Sequence, residues 1–138
     1  LPESFKLIKS LDPREEVEGG WKWNGNLAVD DLNWDNPIFK GKPVVEVNGY
    51  FSCFNNNLES LVGSPKNIIG NFGCAYNKLT SLEGAPKTVG GDFNCKNNKL
   101  TSLDGAPEVV DGYFICENNR NLPKDERPDT EIGKHFIN

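Results

Sequence analysis

The residues of this chain with the greatest potential for chemistry are its cysteines, because a thiol can close a disulfide, ligate zinc or act as a nucleophile. Cys53, Cys74, Cys95 and Cys116 follow one another at a constant spacing of 21 residues. Constant spacing predicts one position in a repeated unit, and equivalent side chains on neighbouring parallel strands stack about 4.8 Å apart. Such a row fits neither disulfide geometry nor a tetrahedral zinc site. The sequence therefore predicts four reduced cysteines, buried as small apolar side chains, which favours the cytoplasm.

Other reactive residues are sparse. The one histidine of the sequence, His135, lies near the end of the chain and far from every cysteine. Asp30, Asp31 and Asp35 cluster around Trp34, but their spacing does not match a calcium loop, and we favour a solvated loop over a metal site. We therefore predict no catalytic residue, no metal, no cofactor and no enzymatic activity.

The cysteines belong to a longer frame, Phe-x-Cys-x-x-Asn-x-Leu-x-x-Leu, which is complete at Phe93, Cys95, Asn98, Leu100 and Leu103. A fixed period of this length is typical of leucine-rich-repeat solenoids. Phe and Cys lie two residues apart, so both point to one face of a short strand, and that apolar face is predicted to be buried. The asparagine tolerates the turn that follows, and its amide is expected to hydrogen-bond a neighbouring turn, forming a ladder.

The second half of each repeat is rich in turn residues, with glycine and proline in every complete copy. Proline forbids continuation of a helix, so we expect irregular turns opposite the strands. A β-branched residue closes each of these copies, at Ile68, Val89 and Val110. The predicted fold class is a β-dominated leucine-rich-repeat solenoid with 21-residue repeats, a parallel sheet, a short N-terminal helix and a capping repeat.

The frame divides the chain into three parts. Residues 1–47 are expected to hold a helix over Pro2–Glu16 and a degenerate capping repeat that begins at Leu27. Residues 48–122 hold the regular leucine-rich repeats. Residues 123–138 are predicted to be a loose C-terminal tail that docks only by its last positions. The sequence also predicts that Trp21, Trp23 and Trp34 seal the N-terminal end of the core.

Composition narrows the class of partner. The chain has 138 residues and a formal net charge of −5, which argues against a dedicated nucleic-acid binder. No apolar run is long enough to predict a membrane span. Lys78, Lys99 and Arg120 nevertheless share one repeat position and are expected to form a basic row. Either Glu83 and Asp104, or solvent, offset its charge, or the row faces an anionic partner, which would be an acidic protein or a phosphate.

Solenoids present extended binding surfaces, and here the residues beside the buried Phe and Cys face outward on the predicted concave sheet. These positions vary between copies, whereas the buried frame does not. Several are large for an exposed strand, and tyrosine is a common interface anchor, although aromatic residues also suit strands by propensity alone. The predicted partner-binding residues are Tyr50, Phe54, Tyr76, Asp92, Lys96, Tyr113, Ile115 and Glu117.

With this frame, the run LTSLEGAP at residues 79–86 resembles the leucine-rich-repeat-like proteins of tailed bacteriophages and bacteria. The resemblance covers about Leu27 to Leu122, implies a right-handed solenoid of phage or bacterial origin, and transfers no catalytic residue. We therefore expect a non-catalytic module that binds a host protein through its concave sheet, in the host cytoplasm. The alternative is a structural or assembly component, either a part of the virion or a module that self-associates through the last strand, near Tyr113 to Cys116, if the tail leaves that edge open.

Overall fold

The computed structural model describes residues 12–138. Within that range the chain winds into a solenoid of parallel sheets whose only helical segment is a 3₁₀ turn at Pro37–Phe39, which confirms the predicted fold class. The strands of this part of the chain are β1 Arg14–Val17, β2 Gly20–Asn24, β3 Leu27–Ala28, β4 Val44–Asn48, β5 Phe51–Ser52, β6 Asn67–Ile68, β7 Phe72–Gly73, β8 Thr88–Val89, β9 Phe93–Asn94, β10 Val109–Val110, β11 Phe114–Ile115, β12 Glu131–Ile132 and β13 Phe136–Ile137.

The strands that carry the Phe-x-Cys frame form a six-stranded parallel sheet, in the order β13-β11-β9-β7-β5-β3. Phe51 is in register with Phe72, and Phe72 with Phe93, each one repeat away. Every frame position therefore stacks on its own copy in the next turn, as the constant period predicts.

A second sheet runs along the arm for which the sequence predicted irregular turns. Its order is β1-β2-β4-β6-β8-β10-β12, and all its pairs are parallel except β1 with β2. Each regular turn contributes its β-branched residue, so that Ile68 pairs with Val89 and Val89 with Val110. The proline of each turn lies before these strands, where it excludes a helix without preventing two extended residues further along. The arm is thus a sheet rather than a set of irregular turns.

The N-terminal end is closed by a β-hairpin. The helix predicted over Pro2–Glu16 falls partly outside the described residues, and its last part is wrong, because Arg14–Val17 is strand β1. β1 pairs antiparallel with β2, and the Asn24 N–H donates to the Pro13 carbonyl at 2.7 Å. Arg14 also donates to the Ile38 carbonyl and pairs with Asp12. These bonds require an extended backbone, which a helical reading of the apolar spacing did not foresee.

Between the two sheets the frame side chains form one apolar column. The rings of Phe51 and Phe72 stack with centroids 5.4 Å apart, and those of Phe72 and Phe93 do the same. Trp34 caps the stack 6.3 Å from Phe51. Since each fully buried large side chain stabilises the fold by about 1.5–3 kcal/mol, this column is its main support. The three tryptophans of the sequence are buried at the N-terminal end, as predicted.

The two sheets meet at a corner where successive turns approach closely. Gly49, Gly70, Gly91 and Gly112 occupy this corner in four successive turns. A Cβ added to Gly70 would lie 2.8 Å from the carbonyl oxygen of Gly49, closer than real Cβ atoms come. The corner therefore needs glycine for lack of space, and it fixes the angle between the sheets.

The segment 123–138 is not a loose tail. β12 pairs in parallel with β10, and β13 pairs in parallel with β11. The Phe136 ring continues the column 5.5 Å from the Phe114 ring, and the Arg127 guanidinium lies 5.0 Å from the centroid of that outer ring. The segment is thus a further turn of the solenoid that covers the strand at Phe114.

Candidate functional site

The candidate site is the outer surface of the six-stranded sheet. Strand alternation directs Phe51 and Cys53 inward, where both are buried, and leaves Tyr50, Ser52 and Phe54 on the outside. Parallel stacking then places the equivalent residues of neighbouring turns beside them. Tyr76 lies one position beyond the row of Phe54, in the turn after the strand, and is also exposed. We call Tyr50, Phe54 and Tyr76 the aromatic face.

These three side chains are the most exposed of the predicted binding residues that carry an aromatic ring. Tyr50 is 46% exposed, Phe54 59% and Tyr76 50%. Exposure of large apolar groups to water is unfavourable, and a partner surface that covered them would recover that free energy. The structure therefore brings together, at the N-terminal half of the sheet, the aromatic part of the predicted site.

The predicted residues of the C-terminal half are less available. Tyr113 is half-buried, since the ring of His135 lies 6.1 Å from its ring and the Lys134 ammonium 5.2 Å. Ile115 is half-buried and pairs in register with Ile137 of the last turn. The tail that the sequence predicted to be loose is what lies against them. Glu117, in the row after the cysteine, is exposed.

Two charged residues of the predicted site have structural contacts. The half-buried Asp92 accepts the Tyr113 N–H on its carboxylate at 2.8 Å, which links two turns. Lys96, also half-buried, places its ammonium 5.8 Å from the centroid of the Tyr76 ring, within the range of a cation–π contact. Asp92 is therefore part of the scaffold, whereas Lys96 orients a ring of the aromatic face.

Tyr76 has a backbone conformation that its side chain does not favour. Its φ is +58°, in the left-handed region, and the same position in other turns holds Asn55, Asn97 and Asn118 with nearly equal φ. Asparagine enters this region readily, whereas a bulky residue there is an outlier that costs about 1 kcal/mol or more. The turn imposes this geometry on every copy, so the tyrosine is strained.

Trp34 provides the contrast, because it also has a positive φ, of 59°. Its ring is buried, meets the Phe39 ring edge-on at 5.0 Å, and donates its Nε1–H to the Gly63 carbonyl at 2.8 Å. Packing thus offsets the strain at Trp34. The half-exposed ring of Tyr76 has no comparable burial.

The thiols are unsuited to nucleophilic chemistry. All four cysteines are free and buried, as predicted. Burial raises the pKa of Cys53 to about 12 and that of Cys116 to about 11, and it raises the pKa of Cys74 and Cys95 well above the usual value. The Cys95 thiol also donates to the Ile115 carbonyl at 3.3 Å. Since the thiolate is the reactive form, these groups are inert at neutral pH.

The described residues contain no group of three or more His, Cys, Asp or Glu side chains that could hold a metal ion. The acidic cluster near Trp34 is exposed and organises its own loop, since Asp31 accepts the Asn33 N–H and Asn33 accepts the Asp35 N–H. Among residues 12–138 there is also no helix long and apolar enough to cross a membrane.

Sequence reasoning missed two features of the surface. The strain at Tyr76 was visible as a tyrosine in a row of asparagines, which are the residues that tolerate a positive φ. Val62 and Ile69 are 65% and 66% exposed on other sides of the solenoid, and no repeat pattern marks them because each occurs in one copy alone.

Comparison with known proteins adds no family or function: no protein-family model, no curated protein and no solved structure matches this chain.

Proposed function

We propose that this chain is a non-catalytic binding module that holds a protein partner on its aromatic face. A rigid stack of parallel turns presents Tyr50, Phe54 and Tyr76 on one side, and large, rigid aromatic groups are the side chains that most often dominate interface energetics. The buried, protonated thiols support a role other than nucleophilic catalysis.

The observation that carries this proposal is the strain at Tyr76. Asparagine occupies the same position in three other turns and would relieve it, so folding alone favours asparagine. A strained residue with an exposed ring is typical of a site where stability is given up for recognition. The Lys96 ammonium lies 5.8 Å from the centroid of that ring, so a partner that covers the ring also meets a cation.

The likeness of the repeat to leucine-rich-repeat-like proteins of tailed phages and bacteria supports two further parts of the proposal. The chain would belong to that family, and its partner would be a protein of a bacterial host, met in the host cytoplasm. The alternative, a component that assembles through the strand at Phe114, is less well supported because β13 already pairs with that strand.

The test is site-specific cross-linking followed by measured affinity. A photoreactive phenylalanine analogue replaces Phe54 in one protein and Ile69, exposed on the other sheet, in a second. Both are irradiated in bacterial lysate. We expect a cross-linked protein that appears with the analogue at position 54 and is absent with the analogue at position 69.

That protein is then purified, and its affinity is measured for the parent chain, Tyr76→Asn and the matched control Ile69→Asn. We expect Tyr76→Asn to weaken binding by about tenfold or more while it raises the stability of the free module. Ile69→Asn should leave affinity unchanged. Equal cross-linking from both positions, or an unchanged affinity for Tyr76→Asn, would overturn the proposal.

A further inference from the structure

A row of cations lies beside the asparagines that have a positive φ. Lys78, Lys99 and Arg120 occupy one position in three successive turns, and all three are exposed. The Lys78 N–H donates to the Leu58 carbonyl and the Lys99 N–H to the Leu79 carbonyl, both at 2.8 Å, which holds the row in register. Stacked turns place such groups about 4.8 Å apart, so like charges accumulate along one line.

This row is not neutralised by its neighbours. Within residues 12–138 the ion pairs are Arg14 with Asp12 and Lys42 with Glu16, so no acidic residue of that range lies within pairing distance of the row. The sequence had left open that Glu83 and Asp104 offset it, and neither forms an ion pair with it. A concentrated positive charge on a chain of net charge −5 is the opposite of what the composition suggests.

Another basic row of the solenoid is interrupted by an acidic residue. On the seven-stranded sheet, Lys66 and Lys87 share one position, and the next turn places Glu108 there, with its N–H donating to the Lys87 carbonyl. That row contains its own acidic residue. The row at Lys78 has a cation in each of three turns.

Lys99 and Arg120 of this row form one wall of an open groove of about 690 Å³. The opposite wall is the row of Asn55, Tyr76, Asn97 and Asn118. Asn55 and Asn118 are exposed and Asn97 is half-buried, and the one contact between these amides is long, with Asn118 Nδ2 3.5 Å from Asn97 Oδ1. Amides both donate and accept, so this wall can pair with the backbone of an extended chain while the cations pair with its carboxylates.

From these walls we infer that the groove binds an extended acidic peptide segment of a protein partner. Charge-assisted hydrogen bonds from lysine and arginine hold the carboxylates, and the asparagine wall fixes the register of the peptide backbone. The acidic remainder of the chain repels a polyanion that extends past the few turns of the groove. Contacts inside the groove act within a screening length of about 8 Å, so a short acidic segment is bound without that repulsion. This site shares Tyr76 with the proposed function, but it needs no partner on Tyr50 or Phe54.

The experiment measures fluorescence anisotropy of a labelled octaglutamate peptide titrated with the full chain at low and at physiological salt. The test variant is Lys99→Gln with Arg120→Gln, the two cations that line the groove. Its matched control is Lys66→Gln with Lys87→Gln, which removes the same charge from two exposed lysines in register on the other sheet. Thermal melts should show the parent, the test variant and the control equally folded, because all four positions are exposed.

We expect saturable binding of octaglutamate that the test variant weakens about tenfold or more and the control changes less than about twofold. Three outcomes overturn the inference. They are absence of saturable binding at low salt, an equal loss in both variants, and equally tight binding of a labelled oligothymidylate, which would mark a general polyanion surface. Because Tyr76 lines the groove as well, the cross-link from Phe54, which lies outside the groove, is what separates the two proposals.

Discussion

The side-chain amide of Asn77 bonds two turns of the solenoid at once. Its Oδ1 accepts the N–H groups of Asn56 and Leu58 at 2.9 Å, and its Nδ2 donates to the carbonyls of Cys53 and Cys74 at 3.0 and 3.1 Å. Asn98 and Asn119 repeat this pattern one and two turns further on, except that the Oδ1 of each accepts a single N–H, from Leu79 and Leu100 respectively. The predicted ladder is confirmed, and it satisfies backbone groups that the turn after each strand leaves without partners.

Replacing a ladder asparagine should therefore be costly. We expect Asn77→Ala and Asn98→Ala each to lower the free energy of unfolding by about 1–3 kcal/mol for each buried group left unpaired, as measured in denaturant melts. The control is Asn121→Ala at an exposed position, which should stay within about 0.5 kcal/mol of the parent. Parent-like melts for both ladder variants would contradict this account.

Ser64 is a buried group that lacks what the ladder provides. Its hydroxyl has no hydrogen-bond partner within the part of the chain that the structure describes, and the same position holds Ala85 and Ala106 in later turns. We expect Ser64→Ala to raise the free energy of unfolding by about 1 kcal/mol, because it removes a buried hydroxyl that has no hydrogen-bond partner and leaves the surrounding packing unchanged. Ser60→Ala, which removes the hydroxyl that accepts the Val62 N–H, should bring no gain. A loss of stability in Ser64→Ala would argue for a hidden partner.

At the scale of elements, the last turn decides whether the solenoid has an open end at Phe114. The N–H groups of Phe114 and Cys116 donate to the carbonyls of His135 and Ile137, at 2.9 and 2.8 Å. β12 and β13 thus pair the edges of both sheets, and free strand edges promote association. The last turn therefore caps the strand edge at Phe114, and β12 and β13 become the terminal strands of the two sheets.

Phe136→Ala should loosen this cap. We expect a loss of about 2 kcal/mol in the free energy of unfolding, since the ring is half-buried against Phe114. Hydrogen exchange should speed up at the N–H groups of Phe114 and Cys116, whereas the equivalent groups of Phe93 and Cys95, inside the stack, stay protected. Phe54→Ala is the control, because it removes an exposed ring and should alter neither quantity. Unchanged exchange at Phe114 in the Phe136 variant would show that the last turn does not cap the sheet.

At the scale of the whole molecule, the column of thiols links stability to pH. Burial holds the folded-state pKa of each cysteine above the ordinary value of 9.0, to about 11 at Cys116 and about 12 at Cys53. The unfolded chain therefore releases these protons first as the pH rises. The stability contributed by the protonated thiols is complete below pH 9 and is lost between that value and the folded-state pKa.

We expect the free energy of unfolding to be flat from about pH 7 to pH 8 and to fall steadily above about pH 9. A Cys74→Ala, Cys95→Ala variant will be less stable at neutral pH, yet its decline above pH 9 should be shallower, which separates the thiols from lysine and tyrosine. Titration without reductant should count four thiols in denaturant, and the same thiols should react slowly in the folded protein. Finding two or fewer thiols, or equal alkaline slopes for variant and parent, would contradict this prediction.

The sequence by itself determined the stack. Turns of equal length keep equivalent residues in register, so a 21-residue period with Phe and Cys two apart predicted the parallel sheet, the buried thiols and the asparagine ladder. The last turn was missed because one residue is inserted in it. Pro128 follows Cys116 by twelve residues, as the prolines of the other turns follow their cysteines, but Phe136 follows Phe114 by 22 residues rather than 21. A repeat pattern that allowed one inserted residue would have revealed the turn.

Only the tertiary structure decided which of the outward residues remain available. Exposure at one position depends on neighbours about 21 residues away, and so Tyr113 and Ile115 are half-buried by the last turn while Phe54 and Tyr76 are not. The second sheet likewise depends on pairing between turns, because two extended residues after a proline carry little signal of their own. The strain at Tyr76 arises for the same reason: the stacked turn fixes its backbone, and the tyrosine must adopt a conformation that suits asparagine.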